Sequence, residues 1–242
     1  MFVANLDNFL VFRKKQYKVY EKFWDGKLKA EQEGIIPDSF MNKAGYLILI
    51  KHPDEIAEPV ARFGERIGTE VPAVVYGQPA IHSTFSNYGV IGLAVGSHFT
   101  RDAGIESRLL DAVSRASSSH DAKIEMTYPL WMHNQATVIV AGHATPGFLS
   151  LAEAIQAEGK REELEKNGKG AALDLPWGAH ITSARFLEKK SPKEISDFLR
   201  LMKETPRLGI SMPKYAEVGY FALTPKGIKY QTIEKFKLLQ AA

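Results

Sequence analysis

Two short stretches constrain this chain more than anything else in it: Ile81-His82-Ser83-Thr84-Phe85 and Ala179-His180-Ile181-Thr182-Ser183, 98 positions apart. Each sets His-x-Thr among mainly apolar neighbours. In a strand, residues two apart share a face. Each stretch therefore presents an imidazole beside a hydroxyl and turns Ile81 with Phe85, or Ile181 with Ser183, toward the interior. Two such strands facing one groove would carry two imidazoles and two hydroxyls. That set suits in-line phosphoryl chemistry: one imidazole takes a proton, the other gives one, and the hydroxyls hold phosphate oxygens.

The pattern needs context to mean anything. Seven histidines, in a chain where about one residue in ten is Ser or Thr, give about 0.7 matches to His-x-Ser/Thr by chance, and there are four. His143-Ala144-Thr145-Pro146 follows a β-branched run and precedes a helical pattern, with Thr145 suited to the N-cap and Pro146 to the first helical position. His98-Phe99-Thr100 likewise ends an apolar run, Val90 to Val95, and opens a helix that Thr100 could cap. Only at His82 and His180 does the pattern continue as a strand on both sides.

These two stretches resemble the motifs of the two-histidine (2H) phosphoesterase superfamily, which includes the 2'-5' RNA ligase-like proteins and cyclic phosphodiesterases. His82-Ser83-Thr84-Phe85-Ser86-Asn87-Tyr88-Gly89 is similar to the first motif, with Gly89 where its closing glycine belongs. His180-Ile181-Thr182-Ser183-Ala184-Arg185 is similar to the second, His-x-Thr-x-x-Arg, with Arg185 in place. Ser86 and Asn87 are more polar than the pattern, and some forty residues at the front have no counterpart in it. The resemblance spans about residues 45 to 237 in its order of elements. It implies two pseudo-symmetric lobes around a central cleft, His82 and His180 as acid and base, and Thr84 and Thr182 on the phosphate. Arg185 would add charge there or brace its strand by an ion pair. Tyr88 and Trp177 are the expected substrate contacts, Trp177 either stacking a base or packing under the strand.

The implied activity is hydrolysis of a 2',3'-cyclic or other ribose-linked phosphodiester, on a nucleotide or an RNA end, with no cofactor and no metal. The alternatives are a non-catalytic binder of such ends and an end-joining ligase. A metal hydrolase fits less well, since His52, His98, His120, His133 and His143 show no ligand spacing. The absence of cysteine excludes disulfides and thiolate chemistry, and a net charge of +3 is too weak for a duplex-DNA binder. No apolar stretch approaches a membrane span, and the first residues lack a secretory pattern, so a cytoplasmic protein is expected.

The elements follow in order. From Asn5 to about Trp24, Leu6, Phe9, Leu10, Tyr17, Tyr20 and Trp24 recur as on one helix face, beside Arg13, Lys14, Lys15 and Lys18. This stripe is either core or a base-stacking surface. Residues 25–44 look like a connecting segment, so that 1–44 is a helical extension and 45–242 a two-lobed domain. Strands are expected at 45–51, 71–76, 81–85, 90–95, 123–130, 136–141, 179–185, 208–212, 218–223 and 230–236. Helices are expected at 53–67, 102–116, 148–166 and 192–203. His133 falls in an exposed turn, and 160–170 forms a solvated helix end or a flap over substrate. Helices outside sheets that meet at a groove make an α+β architecture with antiparallel sheets lining a central cleft.

Overall fold

The run Tyr46-Leu47-Ile48-Leu49-Ile50 is apolar throughout because its strand is covered on both faces. In the computed structural model, which describes residues 6–92, 101–162 and 173–238, this strand is β1 (Lys43–Lys51). Tyr46, Ile48 and Ile50 enter the main core, while Leu47 and Leu49 enter a smaller cluster with Val74, Phe221 and Leu223. On either side of β1 lie β3 (His82–Gly92) and β8 (Tyr215–Thr224), and β9 (Gly227–Lys237) closes the sheet as β3-β1-β8-β9.

The second sheet contains β2 (Ala73–Val75), β4 (Met126–His133), β5 (Thr137–Ala144), β6 (Ala179–Phe186) and β7 (Ile210–Ser211), in the order β2-β6-β5-β4-β7. Every pairing in both sheets is antiparallel. Helices α2 (Asp54–Glu70), α3 (Ala103–Ser119), α4 (Pro146–Arg161) and α5 (Ser196–Leu201) lie outside them. This is the α+β arrangement expected, with one motif strand in each sheet. The sheets are not the two halves of the chain, however. The short β2 crosses over to pair with β6, and β8 and β9 return to β1.

Several elements differ from expectation for local reasons. Residues 25–33 are not a connector: α1 (Leu6–Glu33) runs 28 residues. Gly26 sits inside it because Asn134 packs there, where an added Cβ would fall 2.5 Å from Asn134 Cβ. The helix ends at Gly34, whose φ of 89° suits glycine. The buried face of α1 is Phe9, Phe12, Gln16, Tyr20, Phe23 and Ala30, whereas Leu6, Leu10, Tyr17 and Trp24 of the expected stripe are exposed. Polar pairing explains the rotation. Gln16 Nε2 donates to the Gly142 carbonyl at 2.7 Å, and Tyr20 Oη both donates to that carbonyl and accepts from the Gly142 amide, each at 2.9 Å.

Elsewhere β3 continues unbroken through Gly92, so 90–92 are not a separate strand, and 93–95, His98 and Thr100 lie outside the described residues. Helix α3 is capped by Asp102, whose carboxylate accepts from the amides of Gly104 and Ile105, and it extends through Ser119. Strand β4 runs on to His133, which is buried against the Phe198 ring rather than exposed in a turn. Only Ser196–Leu201 of the expected helix at 192–203 is α-helical. The stretch 163–172, with the flap, lies outside the described residues. Among the described residues, no helix is long and apolar enough to cross a membrane.

Candidate active site

Strict alternation along β3 and β6 would send the residue three after each threonine away from the threonine's face. A shared irregularity prevents this. On β3, Ile48 of β1 faces Ser86 and Leu49 faces Thr84, so Phe85 is an extra residue. On β6, Val138 of β5 faces Ala184 and Ile139 faces Thr182, so Ser183 is an extra residue. Both motif strands thus carry a β-bulge directly after the threonine, which offsets the alternation by one. Asn87 joins His82 and Thr84, and Arg185 joins His180 and Thr182, all lining one cleft of about 780 Å³. The same bulge turns Tyr88 into the core. At 3% exposure and away from the cleft lining, Tyr88 is not the substrate contact expected of it.

The two imidazoles are held alike. His82 Nδ1 bonds the carbonyl of Ala80 at 2.7 Å, and His180 Nδ1 bonds that of Gly178 at 3.3 Å, in each case two residues upstream. A carbonyl only accepts, so each Nδ1 carries the proton and each neutral ring keeps the Nε2 lone pair. Burial dominates their titration, pushing His82 down to about 4 and His180 to about 3. Lys51 and Arg185 depress His82 further, and Arg185 and His82 depress His180.

Trp177 stacks on the His180 ring, centroids 3.8 Å apart and planes at 22°, with Phe23 stacked at 6.4 Å and Tyr20 edge-on at 6.0 Å. It packs on the imidazole itself rather than under the strand. Arg185 is braced: Nη1 meets Asp38 Oδ2 at 2.6 Å, Nε donates to Tyr76 Oη at 2.9 Å, and Cζ lies 4.8 Å from the Phe40 ring centre. Burial works against its charge, while Tyr76 and Asp38 hold its pKa above the ordinary value. The guanidinium therefore lines the cleft and carries an ion pair at once.

Beneath the cleft the motif strands are tied by a buried polar network. Ser83 Oγ donates to the His180 carbonyl at 2.9 Å, and lies 2.9 Å from Tyr128 Oη and 3.1 Å from His52 Nε2. His52 Nδ1 in turn meets Ser211 Oγ at 2.8 Å. Lys15, one of the basic residues noted beside the α1 stripe, lines the cleft, but neither Asp38, Tyr76 and the Ser83 network nor the cleft contribution of Phe23 was signalled by the sequence. Each depends on contacts between residues distant along the chain. Among the described residues, no three His, Cys, Asp or Glu side chains cluster as metal ligands would.

No family model and no curated protein matches the chain. Solved structures do. TT0787 of Thermus thermophilus is 19% identical with a TM-score of 0.52, over 83% of this chain and 100% of its own. E. coli LigT in its apo form is 14% identical with a TM-score of 0.54, over 82% and 99%. A structure described as a phosphoesterase is 15% identical with a TM-score of 0.54, over 81% and 99%. The chain has the fold of these proteins, a two-sheet α+β architecture of the kind that its paired His-x-Thr motifs imply.

Proposed function

We propose that this protein is a two-histidine phosphoesterase that hydrolyses a 2',3'-cyclic or related ribose-linked phosphodiester on a nucleotide or RNA end. The observation that carries the reading is the matched presentation of the rings: each Nδ1 is fixed on a backbone carbonyl, and both imidazoles line one cleft beside a threonine. One neutral imidazole takes a proton from water at Nε2 as the water oxygen forms its bond to phosphorus. The other, protonated, gives its proton to the ribose oxygen as that P–O bond breaks. Each transfer is worth on the order of 10² to 10⁴ in rate. Thr84 and Thr182 hydroxyls hold the non-bridging oxygens in line, and Arg185 sets a positive charge beside them.

Both rings are neutral near pH 7 in the free protein, because their depressed pKa values lie well below it. The anionic substrate must then bring the second proton in with it by raising the pKa of one ring. A ligand of nucleotide type agrees with E. coli LigT, which has been crystallised in complex with 3'-AMP and with phosphate. The test is a panel of cyclic and linear phosphodiesters, with RNA carrying 2',3'-cyclic-phosphate and 5'-hydroxyl ends included to detect joining, assayed with chelator present. The parent should hydrolyse at least one cyclic substrate, and His82→Ala and His180→Ala should each lose roughly 10²-fold or more. An inactive parent, or a variant keeping more than about a tenth of the rate, overturns the assignment.

A further inference from the structure

Strand β1 ends in a lysine that lies directly across from His82. The register pairs Lys51 of β1 with His82 of β3, and residues opposite each other on neighbouring strands share a face, so ammonium and imidazole rise side by side. The ammonium makes two contacts there. It donates to the carbonyl of Pro79 in the single helical turn Gln78–Ala80, and the next carbonyl of that turn, Ala80, is the one that takes the Nδ1 proton of His82. It also lies 4.3 Å from the centre of the Tyr230 ring, within cation–π range, and that ring lies along the His82 ring with centroids 6.3 Å apart and planes at 21°.

Tyr230 is itself held in place. Gly219 leaves room for its phenol, since an added Cβ would fall 2.3 Å from Tyr230 Oη. The hydroxyl stands 3.4 Å from Glu217, a carboxylate with 2% exposure that Thr232 and Lys235 also hold, at 2.9 and 3.2 Å. His180 has no comparable support. The residue across from it on β5 is Ala141, and an indole packs on its ring instead.

We infer that Lys51 is a positioning residue for His82: it pins the turn whose carbonyl orients the ring, and its charge opposes protonation of that ring until an anionic substrate arrives. Burial is the main cause of the low pKa of His82, and Lys51 adds to it. Burial also brings Lys51 down to about 8, which leaves the ammonium charged at neutral pH. The other titratable groups about His82 are His52 of β1, Tyr76 after β2, His180 and Arg185 of β6, and Tyr230 of β9. Glu217 and Lys235 act on Lys51 in opposite senses. The inference rests on the reading of His82 as a proton carrier, but measurements on the ring need no turnover.

Nitrogen-15 NMR of the rings reports both tautomer and titration. In the parent, His82 should carry its proton on Nδ1 and show a second, smaller inflection near pH 8, as Lys51 loses its proton, that is much weaker at His180. Lys51→Met and Lys51→Cys should lose that inflection, move the main titration of His82 up by about one pH unit and mix its tautomers, with His180 shifting far less. The chain has no cysteine, so 2-bromoethylamine alkylates Lys51→Cys at that position alone and returns an ammonium at the length of lysine. Alkylation, verified by mass, should bring the His82 titration back toward that of the parent. On a cyclic phosphodiester that the parent hydrolyses, Lys51→Met should lower kcat about tenfold with KM within about twofold. A His82 titration and tautomer unchanged in the folded variants, an equal shift of both rings, or a parent without the inflection near pH 8 overturns the inference. A parent that hydrolyses no phosphodiester overturns the proposed reaction instead, and the ring measurements still decide the part played by Lys51.

Discussion

The strands β3 and β6 carry nearly the same words and live in different surroundings. Both have His-x-Thr, both bulge after the threonine, and both fix Nδ1 on a carbonyl two residues upstream. Yet β3 is the edge of its sheet, while β6 is flanked by β2 and β5. The residue between histidine and threonine is a networked serine in one and a buried isoleucine in the other. Three residues past the threonine stands a neutral Asn87 or a braced Arg185. His180 has an indole stacked at 3.8 Å, whereas the aromatic neighbours of His82, Tyr76 and Tyr230, stand off at 6.3 Å. Local chemistry is duplicated and its support is not. A reaction whose two proton transfers run in opposite directions needs one ring protonated and the other neutral; coupled rings titrate as a pair, and unequal surroundings bias which of them holds the proton.

The sharpest way to break the comparison is to remove support from β6 alone. Asp38→Ala strands the Arg185 charge in a buried place, and losing one partner of a buried pair costs about 3 to 5 kcal/mol. Denaturant unfolding should show a loss in that range. A loss under about 1 kcal/mol would mean that the pair is not truly desolvated.

On β3 the corresponding change is Ser83→Ala. It removes the side-chain donor to the His180 carbonyl and one contact each of Tyr128 and His52, which keep each other at 3.2 Å, and a loss of about 1 to 3 kcal/mol is expected. Ile181→Val, at the matching position of β6, should cost only about 0.5 to 1.5 kcal/mol. Equal effects would remove the distinction between a networked and an apolar link.

Acid titration tests what the two strands share. Burial holds His52 at about 3, His82 at about 4, His133 at about 4 and His180 at about 3. The folded values lie below the unfolded one, so the stability from neutral rings is fully present above about pH 6.5 and lost as pH falls toward 4. At pH 5 each such ring forfeits at most about 2 kcal/mol. The thermal midpoint should therefore drop between pH 7 and pH 5, with His52→Asn flattening the slope. A midpoint that is level over this window would count against buried neutral histidines.

The smallest effect separates the two rings. Replacing Trp177 by leucine opens the His180 ring to water and should raise its pKa toward the ordinary value, because burial is the main cause of its depression. His82 should titrate as before, and nitrogen-detected NMR of the rings would read both. Movement of both rings together would show that the indole acts on the whole cleft.

How much of this was legible in the chain depends on the range of the interaction. The apolar stripe of α2, Ile56, Val60, Phe63 and Ile67, is a matter of helical period and is buried as expected. The motif strands were legible because His82 with Thr84, and His180 with Thr182, are set on one face by geometry within three residues. Tyr88 went astray because a bulge depends on the partner strand and leaves no mark in the alternation. On α1 two apolar stripes compete for one sheet, and the choice fell to Gln16 and Tyr20, which found the Gly142 peptide 126 and 122 residues away.

The sequence alone therefore determined the local alternation, the helical periods and the chemical character of the two motifs, all properties of residues a few positions apart. Only the tertiary structure decided that β2 would pair with β6, that β8 would return to β1, and that Arg185 would meet Asp38, 147 residues earlier. An apolar strand reads the same whichever neighbour it takes, and the choice among neighbours is made by the packing of the whole chain.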